Sequence, residues 1–304
     1  MTPQRAATAG LAFPVATSAP RHRRWIGPAA VFGPPFLFLL LFLVYPYVNV
    51  FQFSFYRVED YQFVHEYSLD NYARAITGEL YQRVLLVSAR VASIVTLCTL
   101  PLAYLLAYYA AFVVRRRQAV VYFLVVTPLW TSFLLRVYVW KLILGRTGLI
   151  NSALSLSGLT REPLSFLIYN QFSVCLTLVY ILIPFFFLPI YTALEKISPA
   201  YLEASADLGA TPYRTFYRVI LPLSLPGVVT GAVFTFCLSF GDFVAPALLG
   251  GPGGIMVSNV IVGQFGAAFD WPFGSALAVL VLLTVLAVIG LGSLAERKDV
   301  GASE

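Results

Sequence analysis

The stretch Glu203-Ala204-Ser205-Ala206-Asp207-Leu208-Gly209-Ala210-Thr211-Pro212, running on to Val219-Ile220-Leu221-Pro222, is the longest polar interruption in the C-terminal half of an otherwise apolar chain. Its local chemistry predicts two short helices joined by a tight corner. Ser198 followed by Pro199 offers an N-cap and a proline at the first helical position, where a missing N–H costs nothing. Gly209 falls where that helix must stop, a place that favours a left-handed backbone. Thr211-Pro212 repeats the cap-and-proline start, and Pro222 is expected to close the second helix. A helix–corner–helix between apolar runs has the form of a docking element.

Outward from that loop the chain is 59% hydrophobic and only 11% charged, with mean hydropathy +0.81. Soluble domains carry about 25% charged residues, so this composition describes a membrane protein. A bilayer crossing needs about 20 apolar residues. That length predicts an all-α polytopic protein with six transmembrane helices over roughly 28–50, 84–112, 119–142, 172–194, 222–242 and 273–294. The second run is long enough to tilt, and Pro46, Pro101, Pro128, Pro184 and Pro189 are expected to kink spans. Residues 1–26 read as a disordered tail, 27–295 as the transmembrane domain with its polar loop near 195–221, and 296–304 as a second tail.

Basic residues set the orientation. With the N-terminus inside, twelve of the 20 Lys and Arg fall on the inner side: Arg5, Arg21, Arg23, Arg24, Arg115, Arg116, Arg117, Lys196, Arg214, Arg218, Arg297 and Lys298. The segment 51–83 instead carries Arg57, Arg74 and Arg83 against Glu59, Asp60, Glu66, Asp70 and Glu79. The positive-inside rule therefore puts both termini in the cytoplasm, and the Glu203–Pro222 loop with them. The same logic makes Arg21-His22-Arg23-Arg24 a topogenic cluster and not a nucleic-acid patch.

The spacing Glu203-Ala204-Ser205, then Gly209, then Val219, Leu221 and Pro222 resembles the Glu-Ala-Ala…Gly…Ile-x-Leu-Pro cytoplasmic loop of ABC importer permeases. Ser205 replaces an alanine and Val219 an isoleucine, both conservatively. The resemblance implies a type I ABC importer permease-like fold in a bacterial inner membrane. It makes the loop a coupling helix that inserts into a groove on a partner ATPase. Glu203 would cap or pair at that interface, Ala204 and Ser205 would allow close docking, and Gly209 would set the corner. Asp207, Leu221 and Pro222 complete the set. The implied partners are two ATP-binding subunits carrying ATP and magnesium, a second permease that is a related but different chain (a second copy of this chain being the alternative), and a periplasmic substrate-binding protein.

Further segments resemble the spermidine/putrescine-type branch of that family. They are Thr127-Pro128-Leu129-Trp130 leading to Arg136, Gly241-Asp242-Phe243-Val244, Leu248-Leu249-Gly250-Gly251-Pro252, and Asp270-Trp271-Pro272. A polyamine is a flexible polycation, and its binding calls for carboxylates and aromatic faces. Asp242, Phe243, Asp270 and Trp271 have those chemistries, with Arg136 a further pathway candidate. Each also has a plainer reading. Aromatic residues gather at membrane interfaces. Asp242 alternatively neutralises Arg136 or Arg90, while either arginine alternatively snorkels to the headgroups.

Other classes find little support. There is no Gly-rich Lys-Ser/Thr phosphate loop, so ATP hydrolysis is expected elsewhere. His22 and His65 show no ligand spacing, no metal site is expected, and Cys98, Cys175 and Cys237 read as buried small hydrophobes. Gly250–Gly254 reads as a flexible or re-entrant turn. The alternative function is an ion-coupled secondary transporter or channel, which inverted repeats would favour; the two halves show no such symmetry.

Overall fold

A computed structural model describes residues 28–59, 62–114 and 116–301; the tail read over 1–26 lies outside them. The chain divides into two units, Met1–Val48 and Asn49–Glu304. From the first, α1 (Pro28–Leu39) passes through a π turn, Leu40–Val44, into α2 (Tyr45–Phe53), whose last five residues belong to the second. In the second, strands β1 (Arg57–Glu59) and β2 (Gln62–Val64) form a small antiparallel hairpin with Val58 opposite Phe63. Helices α3 (Asp70–Thr77), α4 (Glu79–Tyr108), α5 (Gln118–Val126), α6 (Phe133–Leu144), α7 (Leu149–Leu156) and α8 (Gln171–Glu195) follow. The chain ends with α9 (Pro199–Asp207), α10 (Pro212–Thr215), α11 (Leu221–Phe240), α12 (Val244–Leu249), α13 (Val257–Phe265) and α14 (Trp271–Gly301).

Five stretches are long and apolar enough to cross a bilayer: Val31–Phe53, Glu79–Val113, Gln171–Glu195, Pro212–Phe240 and Trp271–Leu294. The span expected over 119–142 is not a straight helix. It is a pair, Gln118–Trp130 and Phe133–Leu156, bent by 96°. Thr127–Trp130 tightens to a 3₁₀ turn around Pro128, and Thr131 and Ser132 are extended, with ψ of 153° and 132°. Proline removes a helical donor and crowds the preceding turn, so the helix breaks there. Six spans result when the bent pair counts as one.

Pro222 also behaves differently from expectation. It does not close a helix; α10 runs on into α11 through a π turn at Phe216–Ile220. In that wide turn the Leu221 N–H reaches back to the Phe216 carbonyl, and the extra residue makes room for a proline just downstream. The π turn at Leu40–Val44 stands in the same relation to Pro46.

The second unit is built on α4, α8 and α11. Phe186, Phe187 and Ile190 of α8 are fully buried, with Ala103 and Ala107 of α4 beside them. Helix α11 comes close because it presents Gly227 and Gly231, four residues apart. A Cβ at Gly227 would meet the Pro189 carbonyl at 2.6 Å, and one at Gly231 the Phe186 ring at 2.5 Å. Small residues at this spacing are how apolar helices approach when water exclusion no longer drives them together. The Gly250–Gly254 segment is a packed turn and not a loose one: Gln171 Nε2 donates to the Gly253 carbonyl at 2.9 Å, and Ser173 Oγ to that of Leu249 at 2.9 Å. All three cysteines are unpaired, and Cys98 is exposed, against its expected burial. Helix α14 continues through the segment read as a C-terminal tail as far as Gly301.

Candidate functional site

The polar loop forms a rigid corner between α8 and α11. Ser198 Oγ accepts the Ala200 N–H and Thr211 Oγ1 the Arg214 N–H, each at 3.4 Å, with Pro199 and Pro212 opening the two helices. Gly209 has φ +70°. Its N–H reaches the Ala206 carbonyl at 2.9 Å, and the Ala210 N–H reaches that of Ser205 at 3.0 Å. This is the paired closure of a helix ending on a left-handed glycine.

Within the corner, Ser205 faces inward. It is 9% exposed, and its hydroxyl bonds the Leu202 carbonyl at 2.8 Å and Thr215 Oγ1 at 3.0 Å. Ser205 therefore ties α9 to α10, whereas its neighbours Glu203, Ala204, Ala206 and Asp207 are exposed and open to an outside contact. Leu221 is half-buried and Pro222 exposed, both one helical segment away from the corner.

The most prominent surface feature was not evident from residue-type matching. Leu208, directly before the corner glycine, is 88% exposed, and Tyr201, Tyr213 and Tyr217 of the same loop are also exposed. An apolar residue at the last position of a polar helix, where no core remains to receive it, was the available signal. Behind this surface Phe216 packs edge-on against Tyr104 and Tyr108 of α4, and Tyr104 Oη bonds Ser224 Oγ at 2.9 Å. The corner is thus joined to both α4 and α11.

The five pathway candidates do not converge, although four of them lie at the opposite end of the bundle. Asp242 is 9% exposed and caps α12, its two oxygens accepting the Val244 N–H at 3.3 Å and the Ala245 N–H at 3.0 Å. Among the described residues it pairs with neither Arg136 nor Arg90. The carbonyl of half-exposed Phe243 accepts from Asn259 near the start of α13. Asp270 and Trp271 lie at the other end of α13, where the Asp270 N–H meets the Gln264 carbonyl and Trp271 touches Phe265. One helix of nine residues separates the two pairs, roughly 13 Å.

Asp270 is also committed. It forms an ion pair with Arg74 of α3 at 2.8 Å and caps α14 through the Phe273 N–H. Arg74 lies over the Phe273 ring at 4.1 Å and donates to Tyr81 Oη. Partial burial is the largest single influence and works against the Arg74 charge, but the bonds to and attraction of Asp270 and Tyr81 together outweigh it and hold the guanidinium pKa above its usual value. Arg136, on α6, stands apart from this cluster, near Phe133 and Tyr180. Among the described residues no three His, Cys, Asp or Glu side chains group in a way that would hold a metal ion.

The sequence profile of a family described as the binding-protein-dependent transport system inner membrane component matches residues 99–295. The spermidine/putrescine transport system permease protein PotB of Salmonella typhimurium (strain SL1344) is 37% identical over 254 residues, covering 83% of this chain and 86% of that one. The inner membrane ABC transporter permease protein YdcU of Escherichia coli (strain K12) is 34% identical over 275 residues, covering 86% and 84%. Among solved structures, a chain of a bacterial ABC transporter that imports the acidic polysaccharide alginate superposes with a TM-score of 0.73 at 19% identity, over 88% of this chain and 94% of that one.

Proposed function

The chain belongs to the binding-protein-dependent transport system inner membrane component family, as a multi-pass ABC importer permease subunit, and on that premise we propose that it carries a polyamine or a related small polar organic cation. The relative that is 37% identical is a spermidine/putrescine permease, which supports the cargo. Energy would come from ATP and magnesium bound in two partner ATP-binding subunits, with a different, related permease completing the pathway and a periplasmic protein delivering the solute. Both termini and the Glu203–Pro222 loop would then lie in the cytoplasm.

The observation that carries the mechanism is the solvent-facing corner at Gly209. Leu208 protrudes from it, Glu203 and Asp207 have no ion-pair partner among the described residues, and the following helix continues without a break into α11. A partner ATPase that grips Leu208 and the exposed tyrosines of the loop would move a short rigid lever. Closure of two such ATPases would rock α11 and the helices packed on it between inward-open and outward-open arrangements. Ser205 serves as the internal tie of that lever. At the opposite end, Phe243 and Trp271 would offer aromatic faces to a passing cation, while Asp242 shapes the approach by holding α12.

Purification of the tagged chain from its native membranes, with mass spectrometry of what accompanies it, tests this reading. An ATPase and a second permease should copurify, and the reconstituted complex should accumulate radiolabelled spermidine only with ATP and the binding protein present. A chain that is pure, alone and still transporting in liposomes without ATP would be an ion-coupled transporter instead.

A further inference from the structure

The end of the bundle opposite the Gly209 corner already holds one cation in the kind of site that another cation would need. The Arg74 guanidinium lies 4.1 Å from the centre of the Phe273 ring and 5.8 Å from that of Tyr81, while its Nη1 donates to Asp270 Oδ2 at 2.8 Å. A carboxylate set among aromatic faces recognises an alkylammonium group as readily as a guanidinium.

The occupant is replaceable and the carboxylate is not. Helix α3 packs onto α14 through Ala75, which is buried with Phe273 and Leu277, so the Arg74 side chain can swing out while its helix stays seated. The pair is half exposed on the arginine side, and an ion pair that open to water is weakly held. Asp270 is fixed independently of Arg74: its Oδ1 accepts the Phe273 N–H at 3.2 Å, and its own N–H reaches the Gln264 carbonyl at 2.9 Å. On either side of it Phe269 and Trp271 are exposed, with the Phe63 ring of β2 6.0 Å from the first and 6.2 Å from the second. Phe269 keeps this place with φ +52°, a left-handed backbone that bulky residues rarely adopt and that is found at ligand clamps.

We propose that Arg74 is a built-in competitor for a cationic ligand: an ammonium group of the solute displaces its guanidinium from Asp270 and Phe273, and the exchange removes the ion pair that joins α3 to the start of α14. The proposal rests on the polyamine reading above, which supplies the ligand. A polycation can win this exchange where a simple amine cannot, because its further ammonium groups reach the Phe63, Phe269 and Trp271 rings once the first is held.

Flow dialysis of radiolabelled spermidine against the complete purified complex, in nanodiscs and without binding protein, tests it. Arg74→Gln should bind spermidine roughly fivefold more tightly than wild type, the effect of relieving one exposed ion pair. Arg74→Lys keeps a competing cation and should stay near wild type. Arg74→Gln combined with Asp270→Asn should lose the gain. An arginine that merely braced the fold would give the opposite result, weaker binding in Arg74→Gln. Unchanged or weaker binding in an assembled Arg74→Gln complex would overturn the proposal, as would a gain that survives Asp270→Asn or appears equally in Arg74→Lys. Where Arg74→Gln does not assemble, the exposed Phe269 supplies the second test: Phe269→Leu should weaken spermidine binding roughly threefold, and unchanged binding would overturn the proposal. Spermidine uptake by the wild-type complex, with ATP and binding protein, separates the two readings. Uptake without these affinity changes overturns the exchange alone, and no uptake overturns the cargo reading and this proposal with it.

Discussion

The two ends of the bundle are held together by different kinds of interaction. At the Gly209 corner the contacts that shape the turn are local: caps two or three residues long, two prolines, one left-handed glycine, and a hydroxyl pair ten residues apart. At the opposite end the local caps of Asp242 and Asp270 are joined by contacts between distant parts of the chain. Arg74 meets Asp270 across 196 residues, and the β1–β2 hairpin sends Phe63 against Phe269 and Trp271. A locally determined element keeps its shape when the bundle around it moves. An element built from long-range pairs is bound to change when its helices separate. On the proposed coupling role, the corner would deliver force and the far end would respond to it.

The largest expected effect lies beneath the corner, where the lever meets the bundle. Gly227→Val would drive a side chain into the Pro189 backbone carbonyl, which has no rotamer to escape by. Overpacking of this kind costs about 3 kcal/mol. The variant should nearly vanish from membranes, and its level by immunoblot checks this. A stable, active Gly227→Val would mean that α8 and α11 are not one rigid body.

Next in size is Gly209→Val. Nothing lies within 4 Å of a Cβ there, so the penalty is purely the left-handed backbone, about 1–2 kcal/mol and worse for a branched side chain. The protein should remain in the membrane while ATP-driven uptake falls to near background. Gly209→Asn, which tolerates the same backbone, should retain most uptake. Equal loss in both variants would mean that the glycine's missing side chain matters to a partner, and its backbone conformation does not.

What sequence could and could not reveal follows the same division. The caps, the glycine stop and the two helix starts were legible because each depends on residues within a turn of one another. The importer fold was legible because apolar length and the spacing of the Glu203–Pro222 loop are properties of the linear chain. The break at Thr131–Ser132 was not, since a hydropathy window averages over two extended residues. Pro222 was misread because proline ends a helix unless a π turn precedes it, and nothing in Phe216–Ile220 announces one. The commitment of Asp270 to an ion pair was not legible either, because its partner, Arg74, lies in a different part of the chain.

The Arg74–Asp270 pair should show a smaller effect. Arg74 is half exposed and Asp270 about a quarter, so solvent screens part of their attraction. A double-mutant cycle of Arg74→Ala and Asp270→Ala, read by thermal unfolding of the purified complex, should give a coupling of about 1 kcal/mol. If the pair is a contact that opens during transport, its loss should also shift the resting ATPase rate. A coupling near zero would remove the electrostatic link between α3 and α14 and leave the far end held by aromatic packing alone.

The smallest effect is expected at Ser205. Ser205→Ala removes the bond to Thr215 but keeps the small side chain, and a single hydrogen bond contributes about 1 kcal/mol. Alanine also suits a helix better than serine, which offsets part of that loss. Uptake should therefore remain close to wild type, with slightly lower thermal stability. Ser205→Leu is the sharper comparison, because a large side chain at this buried position would force α9 and α10 apart without touching Gly209. If uptake survives that wedge, the two short helices act independently, and the lever begins at α10. If uptake is lost while the protein stays in the membrane, the corner moves as one piece from Pro199 onward.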